Sequence, residues 1–134
     1  SKDSYNMADP SDDAAFTFAM EIIQNLGAFH VALDDDLVAA GLTSCTVVGD
    51  GSGTCVGQGA PLLIPDILQL DITGDAGFPN GRLLADTAPD VILAVILLDL
   101  SVHSAADLVG LNPTANDVAF DPAFPFLAAP HLGD

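Results

Sequence analysis

Residues 45–55 read CTVVGDGSGTC, in which two cysteines enclose short β-branched arms and a central turn of glycine, aspartate and serine. This pattern is typical of a β-hairpin. Because the two ends of a hairpin lie within disulfide distance, we predict a Cys45–Cys55 disulfide that closes the hairpin. A metal-binding or redox pair would be expected to show the short CxxC spacing or a neighbouring histidine, and the sequence shows neither.

The predicted disulfide has a consequence for the location of the protein. Disulfides persist in oxidising compartments. We therefore expect an extracytoplasmic protein, which is secreted, periplasmic or in the lumen of an organelle. The longest apolar run, residues 91–98, is too short for a membrane-spanning helix, which takes about 20 residues.

Helices are predicted on both sides of the hairpin. Asp9 and Pro10 form a helix-start signal. They are followed by an apolar face at helical spacing, which consists of Ala15, Ala19, Ile22, Leu26 and Phe29. The aspartate run at 34–36 predicts the start of a second short helix. In residues 83–100, Pro89 favours a helix that begins there, although the run of Ile, Val and Leu fits a buried strand equally well.

We accordingly predict an irregular, helix-containing α+β fold that forms a single domain or the C-terminal portion of a longer domain. Its expected segments are an arm at 1–8, a helical part at 9–41, the disulfide hairpin at 42–60, a core with the Arg82 turn at 61–104, and an extended Pro/Phe-rich tail at 105–134. The tail is expected to lie over the surface and to be anchored by Phe120, Phe124, Phe126 and Leu127.

The charge of the chain excludes two classes of partner. Two basic residues stand against 19 acidic ones, which gives a net charge of −17. Nucleic acids and anionic membrane surfaces both require basic side chains for binding, so neither is an expected partner. The acidic surface suits solvation, or contact with divalent cations or with the basic surfaces of other protein subunits.

Arg82 is the only arginine, and it ends the turn GFPNGR at residues 77–82. Its planar guanidinium could pair with Asp86, four residues later, or with Asp90. We therefore predict a structural clasp that consists of Arg82, Asp86 and Asp90, in preference to a catalytic or anion-binding role.

The stretch DITGDAG at residues 71–77 is similar to the start of an EF-hand calcium loop. Ala76 replaces the required glycine, and Arg82 stands at the closing position, where a bidentate glutamate is needed. These differences exclude an EF-hand. They leave only weak candidates for another kind of calcium site, namely Asp71, Asp75 and Asp86.

No catalytic motif is evident in the sequence. The histidines belong to no metal-binding or nucleophile motif; they are His30, His103 and His131. Carboxylate pairs are so abundant that no single pair indicates general acid–base chemistry. We therefore expect no catalytic residues, and a hydrolase that uses Asp86 and Asp90 is the weakest of the functional hypotheses.

Residues 77–90 resemble the FPNGRRL-x-DD-x-x-D signature of an uncharacterised family, domain of unknown function 4331. Residues 116–118 and 124–131 are similar to the closing segment of that family. The chain departs from the signature at Leu83 and Thr87, and the cysteine pair is not an expected family feature. The resemblance implies the C-terminal part of a longer extracytoplasmic domain, and it implies no activity.

Together these observations predict a non-enzymatic structural or accessory subunit of a larger extracytoplasmic assembly, such as a filament, a sheath or the lumenal or periplasmic face of a membrane complex. An apolar content of 50% would leave apolar surface that requires a partner. The alternative is an extracytoplasmic module that binds calcium or a small ligand.

Overall fold

A computed structural model describes residues 2–49 and 53–131, and their regular secondary structure is helical. The helices are α1 (Lys2–Asn6), α2 (Pro10–Ala14), α3 (Ala19–Ala39), α4 (Cys55–Leu63) and α5 (Ala88–Leu97), followed by a 3₁₀ turn at Ala105–Leu108. The described residues contain no β-strand. Their bridges are isolated pairs, Ser44–Leu98, Thr46–Thr54 and Gly77–Asn80. None of the described helices is long and apolar enough to cross a membrane.

The predicted α+β class is therefore wrong, because the described residues contain no β-hairpin between the cysteines. Thr46 and Thr54 form only one bridge, and it is parallel. The Thr54 side chain accepts a hydrogen bond from the Gly57 N–H at 3.2 Å and caps helix α4. Among the described residues, the chain thus forms backbone hydrogen bonds with the first arm only at residues 46–47, and it enters a helix at Cys55. The predicted turn at 50–52 lies outside the described residues.

Helix α4 was missed because its sequence, CVGQGAPLL, is poor in helix-forming residues. Glycine and proline are the weakest helix formers, and they suggested a loop. Packing overrides this preference. Gly59 is buried against α5, where an added Cβ would lie 3.6 Å from Cγ1 of Val95.

The N-terminal part contains helices, but not in the predicted arrangement. The predicted arm includes a short helix, α1. Asp12 accepts a hydrogen bond from the Asp9 N–H at 3.3 Å, as the start signal of α2 predicted. Phe16 then adopts a left-handed φ of 59°, which separates α2 from α3. Helix α3 continues through the aspartates at 34–36, so the predicted second helix is not a separate element.

Helix α5 confirms the prediction that a helix begins near Pro89, since Pro89 lies in its first turn. The helix provides the centre of the core. One cluster of buried side chains consists of Leu37, Ala94, Leu97, Leu98 and Leu108. The other consists of Leu26, Cys45 and Cys55, and the partly buried Ile96 packs against both.

The tail that follows the 3₁₀ turn is irregular from residue 109 to residue 131. The rings of Phe124 and Phe126 meet edge to face, with their centroids 6.0 Å apart. The residues expected to anchor the tail are exposed, namely Phe120, Phe124, Phe126 and Leu127. The described tail therefore presents apolar side chains to solvent.

Candidate functional site

The buried side of α3 carries His30, which lies directly beside the Cys45–Cys55 disulfide. The disulfide itself is present as predicted, with the two Cα atoms 5.3 Å apart. Nε2 of His30 lies 3.2 Å from Sγ of Cys55 and 3.8 Å from Sγ of Cys45. One imidazole nitrogen and two sulfur atoms are thus gathered in the protein interior.

The His30 ring is fixed in orientation by contacts to both of its nitrogens. Nδ1 lies 2.7 Å from Oδ1 of Asp34, which is one helical turn later. Nε2 lies 3.0 Å from the carbonyl oxygen of Ile96 in α5. The carboxylate–imidazole contact holds the Nε2 edge toward the sulfur atoms.

Three elements bring the cysteines to His30. Cys45 follows α3, and its N–H donates to the Leu97 carbonyl oxygen at 2.9 Å. Cys55 is the first residue of α4, and its N–H donates to the Thr46 carbonyl oxygen at 2.8 Å. The cluster therefore depends on the way that α3, α4 and α5 pack together.

We expected no histidine near the cysteines. The position of His30 beside both sulfur atoms shows that this expectation was wrong. His30 precedes Cys45 by 15 residues and Cys55 by 25, so spacing gave no indication of the contact. One signal was available. Leu26, His30 and Leu37 are the buried residues of α3, and their spacing places them on one helical face. A histidine on a core-facing stripe indicates a buried polar partner.

Within residues 2–49 and 53–131, His30, Cys45 and Cys55 are the only trio of potential metal-ligating side chains that lies close together. The weak calcium candidates, Asp71, Asp75 and Asp86, form no such trio in the described residues. Asp71 Oδ1 instead accepts from the Thr73 hydroxyl at 2.6 Å and from the Thr73 N–H at 2.8 Å. These hydrogen bonds lower the pKa of the Asp71 carboxyl.

The three predicted clasp residues have separate contacts. Arg82 is exposed, and its guanidinium carbon lies 5.5 Å from the centroid of the Phe78 ring. It forms no ion pair with a carboxylate in the described part of the chain. Asp86 supports the turn without Arg82, because its Oδ2 accepts from the N–H groups of Phe78 at 2.9 Å and Leu83 at 2.6 Å.

Asp90, the third predicted clasp residue, is completely buried and binds the start of the tail. Its carboxylate accepts hydrogen bonds from the Gly110 N–H at 2.8 Å and from the N–H and the side-chain amide of Asn112. The Asn112 side chain, followed by the Gly110 N–H, lowers the pKa of the Asp90 carboxyl. Asp90 thus fastens residues 110–112 to α5.

The chain segment that connects α4 to α5 exposes many apolar side chains. Residues 67–84, here called the apolar segment, have neither helix nor strand. Their exposed apolar side chains are Ile67, Leu68, Leu70, Ile72, Leu83 and Leu84. Ile72 is 88% exposed and Leu68 is 72% exposed. A groove of about 690 Å³ runs along this segment between Leu62 and Phe78.

The accessible surface of the whole chain is also large. It measures 9020 Å². A compact monomer of 13.6 kDa is expected to expose about 6,600 Å². The excess of roughly 2,400 Å² shows that the chain covers much less of its own surface than a typical globular domain.

Comparison with known proteins gives no relative. No family model matches the chain, and no curated protein or solved structure is significantly similar to it. The resemblance of residues 77–90 to domain of unknown function 4331 stays a prediction. Function is therefore inferred from the geometry of the chain.

Proposed function

We propose that this protein is a non-enzymatic structural or accessory subunit of a larger extracytoplasmic assembly. The supporting observation is the accessible surface of 9020 Å², which exceeds that of a compact monomer by roughly 2,400 Å². A standard interface buries about 800 Å² on each partner, and obligate interfaces bury more. The excess is therefore comparable with the surface that a subunit covers in an obligate complex.

The apolar segment is the surface that we assign to the partner. Exposed apolar patches of this kind mark interaction sites on stable proteins. Leu68, Leu70 and Ile72 lie close together in sequence and are all exposed. Their burial against a partner would remove apolar area from water, which is the main favourable contribution to association.

Charge defines the chemistry of the expected partner. The apolar segment is accompanied by carboxylates, since Asp66 precedes it and Asp71 and Asp75 lie within it. The chain as a whole has a net charge of −17. A partner with an apolar centre and a basic rim would complement this surface.

The location in the proposal is supported by the disulfide, because disulfides persist in oxidising compartments. Both sulfur-bearing residues are buried, with Cys45 4% exposed and Cys55 1% exposed. Burial restricts the access of reductants to the bond. The cross-link therefore suits a protein that has to stay assembled outside the cytoplasm.

Light scattering on the native chain at micromolar concentration tests the proposal. We expect self-association, or a stoichiometric complex with whatever protein co-purifies. The double variant Leu68→Ser and Ile72→Ser should weaken that association by at least tenfold. A matched control, Val31→Ser with Val38→Ser, removes exposed apolar side chains from α3 and should leave association unchanged.

Two results would overturn the proposal. The first is a monodisperse monomer that carries no co-purifying protein at micromolar concentration. The second is an equal loss of association in both double variants, because this would indicate nonspecific hydrophobic aggregation in place of a defined surface on the apolar segment.

A further inference from the structure

We propose that His30, Cys45 and Cys55 form a zinc site when the disulfide is reduced. In this proposal the disulfide, which joins α4 to the loop that precedes it, is replaced by a metal ion that joins the same two elements and also α3. The inference goes beyond the assembly role and does not depend on it.

The two nitrogen–sulfur distances within the cluster suit a tetrahedral metal site, whereas the two sulfur atoms, which are bonded to each other in the disulfide, have to move apart to about 3.8 Å once that bond is broken. With a Zn–N bond of about 2.0 Å and a Zn–S bond of about 2.3 Å, a nitrogen and a sulfur ligand in a tetrahedral site lie about 3.5 Å apart. The Nε2–Sγ distances are 3.2 Å to Cys55 and 3.8 Å to Cys45, so they fall on either side of that value. The ring therefore needs little movement to become a ligand.

Asp34 supplies the contact that usually accompanies a zinc-binding histidine. Histidine ligands donate their other ring N–H to a carboxylate or a carbonyl group, which fixes the tautomer and directs the free nitrogen at the metal. Oδ1 of Asp34 lies 2.7 Å from Nδ1 of His30. Nε2, which faces the two sulfur atoms, becomes the ligating atom once it no longer donates a hydrogen bond to the Ile96 carbonyl oxygen at 3.0 Å.

The chemical type of the three ligand atoms determines which metal the site favours. Two thiolates and one imidazole suit zinc, whereas calcium and magnesium prefer oxygen ligands. The carbonyl oxygen of Ile96 lies 3.0 Å from Nε2 and 3.5 Å from Sγ of Cys45, so it is placed close to a fourth position. All three side chains are buried, which shields the site from bulk solvent.

Reduction converts the disulfide-bonded chain into the form that binds zinc, and oxidation reverses the change. A water-soluble phosphine gives two electrons to the disulfide and takes oxygen from water, so the S–S bond breaks and two thiols and a phosphine oxide form. Zinc then replaces the two thiol protons and binds both sulfur atoms. Oxidation by a disulfide-containing oxidant removes two electrons, restores the S–S bond and releases the metal.

The 134-residue chain, reduced by the phosphine under anaerobic conditions, is the material for the test. We expect one zinc ion per reduced chain, measured by competition with a chromophoric chelator, and none for the oxidised chain. Cobalt as a substitute should give the intense charge-transfer absorption of thiolate–cobalt bonds. Zinc should also protect both thiols from alkylation.

A matched pair of variants tests the geometry. Asp34→Asn should weaken zinc binding 10–100-fold, the usual effect of losing a carboxylate that holds a histidine ligand. His103 has the same contact with Asp107, at 3.2 Å, but it belongs to no trio of ligating side chains among the described residues. Asp107→Asn should therefore leave the zinc affinity unchanged. His30→Ala should abolish thiolate–cobalt absorption.

Three results would contradict the site. They are a reduced chain that binds no zinc, equal affinities in the Asp34→Asn and Asp107→Asn chains, and unprotected thiols in the presence of zinc. If His30→Ala does not fold, as judged by circular dichroism, the thiol-protection experiment on the wild-type chain still decides the question.

Discussion

The buried carboxylate of Asp90, in the first turn of α5, accepts hydrogen bonds from both the N–H and the side-chain amide of Asn112, which lies 22 residues later. The Gly110 N–H donates to the same carboxylate at 2.8 Å. An ionised acceptor forms stronger hydrogen bonds than a neutral one. The start of the tail is therefore held to the core by a single charged group.

Asp90→Asn should make the protein less stable at neutral pH and should reduce the effect of acid on its stability. The folded chain has an Asp90 pKa below the ordinary value of 3.8. The stabilisation is therefore present above the unfolded pKa and is lost as the pH falls through the folded one. We expect the melting temperature at pH 7 to fall by about 5 °C.

Thermal melts from pH 7 into the acid range provide the measurement. The difference between wild type and Asp90→Asn should shrink as the pH falls below 3.8. Asp75→Asn is the control, because Asp75 is exposed and should give no such trend. A difference that is constant with pH would show that the Asp90 charge has no part in holding the tail.

Arg82→Leu should change the free energy of unfolding by less than about 1 kcal/mol, because an exposed cation–π contact contributes little. Asp86→Ala should cost about 2 kcal/mol, since two backbone N–H groups lose a charged acceptor. Urea denaturation measures both values. The opposite order would restore the predicted clasp, with Arg82 as its essential member.

Gln58→Ala should lower the free energy of unfolding by about 2–4 kcal/mol. Its amide nitrogen donates to the carbonyl oxygens of Val95 and Leu98 at 2.6 Å each. Its amide oxygen accepts from the N–H groups of Gly53 and Leu100 at 3.3 Å each. The side chain thus joins α4 to the end of α5.

Chemical denaturation of Gln58→Ala and Gln24→Ala is the comparison that isolates this effect. Gln24 is exposed on α3, so its removal should change stability by less than about 0.5 kcal/mol. Similar values for the two variants would mean that the hydrogen bonds of Gln58 do not hold α4 against α5.

Tyr5 should titrate at unusually high pH. Burial, followed by the hydrogen bond to Asp13 at 2.9 Å, raises its pKa to about 12. The neutral phenol therefore stabilises the fold below pH 10.0, and this contribution is lost as the pH rises through about 12. Asp13→Asn should lower the Tyr5 pKa, because it removes a nearby negative charge.

Ultraviolet absorbance of tyrosinate measures this pKa without ambiguity, since the chain has one tyrosine and no tryptophan. Asp35→Asn, on the exposed side of α3, is the control and should leave the titration of Tyr5 unchanged. An equal effect of both substitutions would indicate a general response to net charge and not the contact with Asp13.

Local signals in the sequence were sufficient to predict the start of a helix where one short motif determines it. Asp9 with Pro10 marked the start of α2, and Pro89 marked the start of α5, because caps and first-turn prolines act within a few residues. These two predictions needed no knowledge of how the elements pack. The disulfide is also present as predicted, although the hairpin from which it was inferred is absent from the described residues.

Long-range packing determined what the sequence did not reveal. Helix α4 forms despite Gly57, Gly59 and Pro61 because it packs against α5 and is capped by Thr54. The contact of His30 with the cysteines likewise exists only after three elements have met. The apolar segment gave the same hydrophobic signal as a core segment, and only the structure showed that it is exposed.

The length of α3 has a consequence for the way the protein unfolds. The helix contributes Leu37 to one core cluster and Leu26 to the other, and Ile96 of α5 packs against both. Neither cluster can melt without removing support from the helix that also holds its neighbour. The two small cores should therefore behave as one cooperative unit and disappear in a single transition.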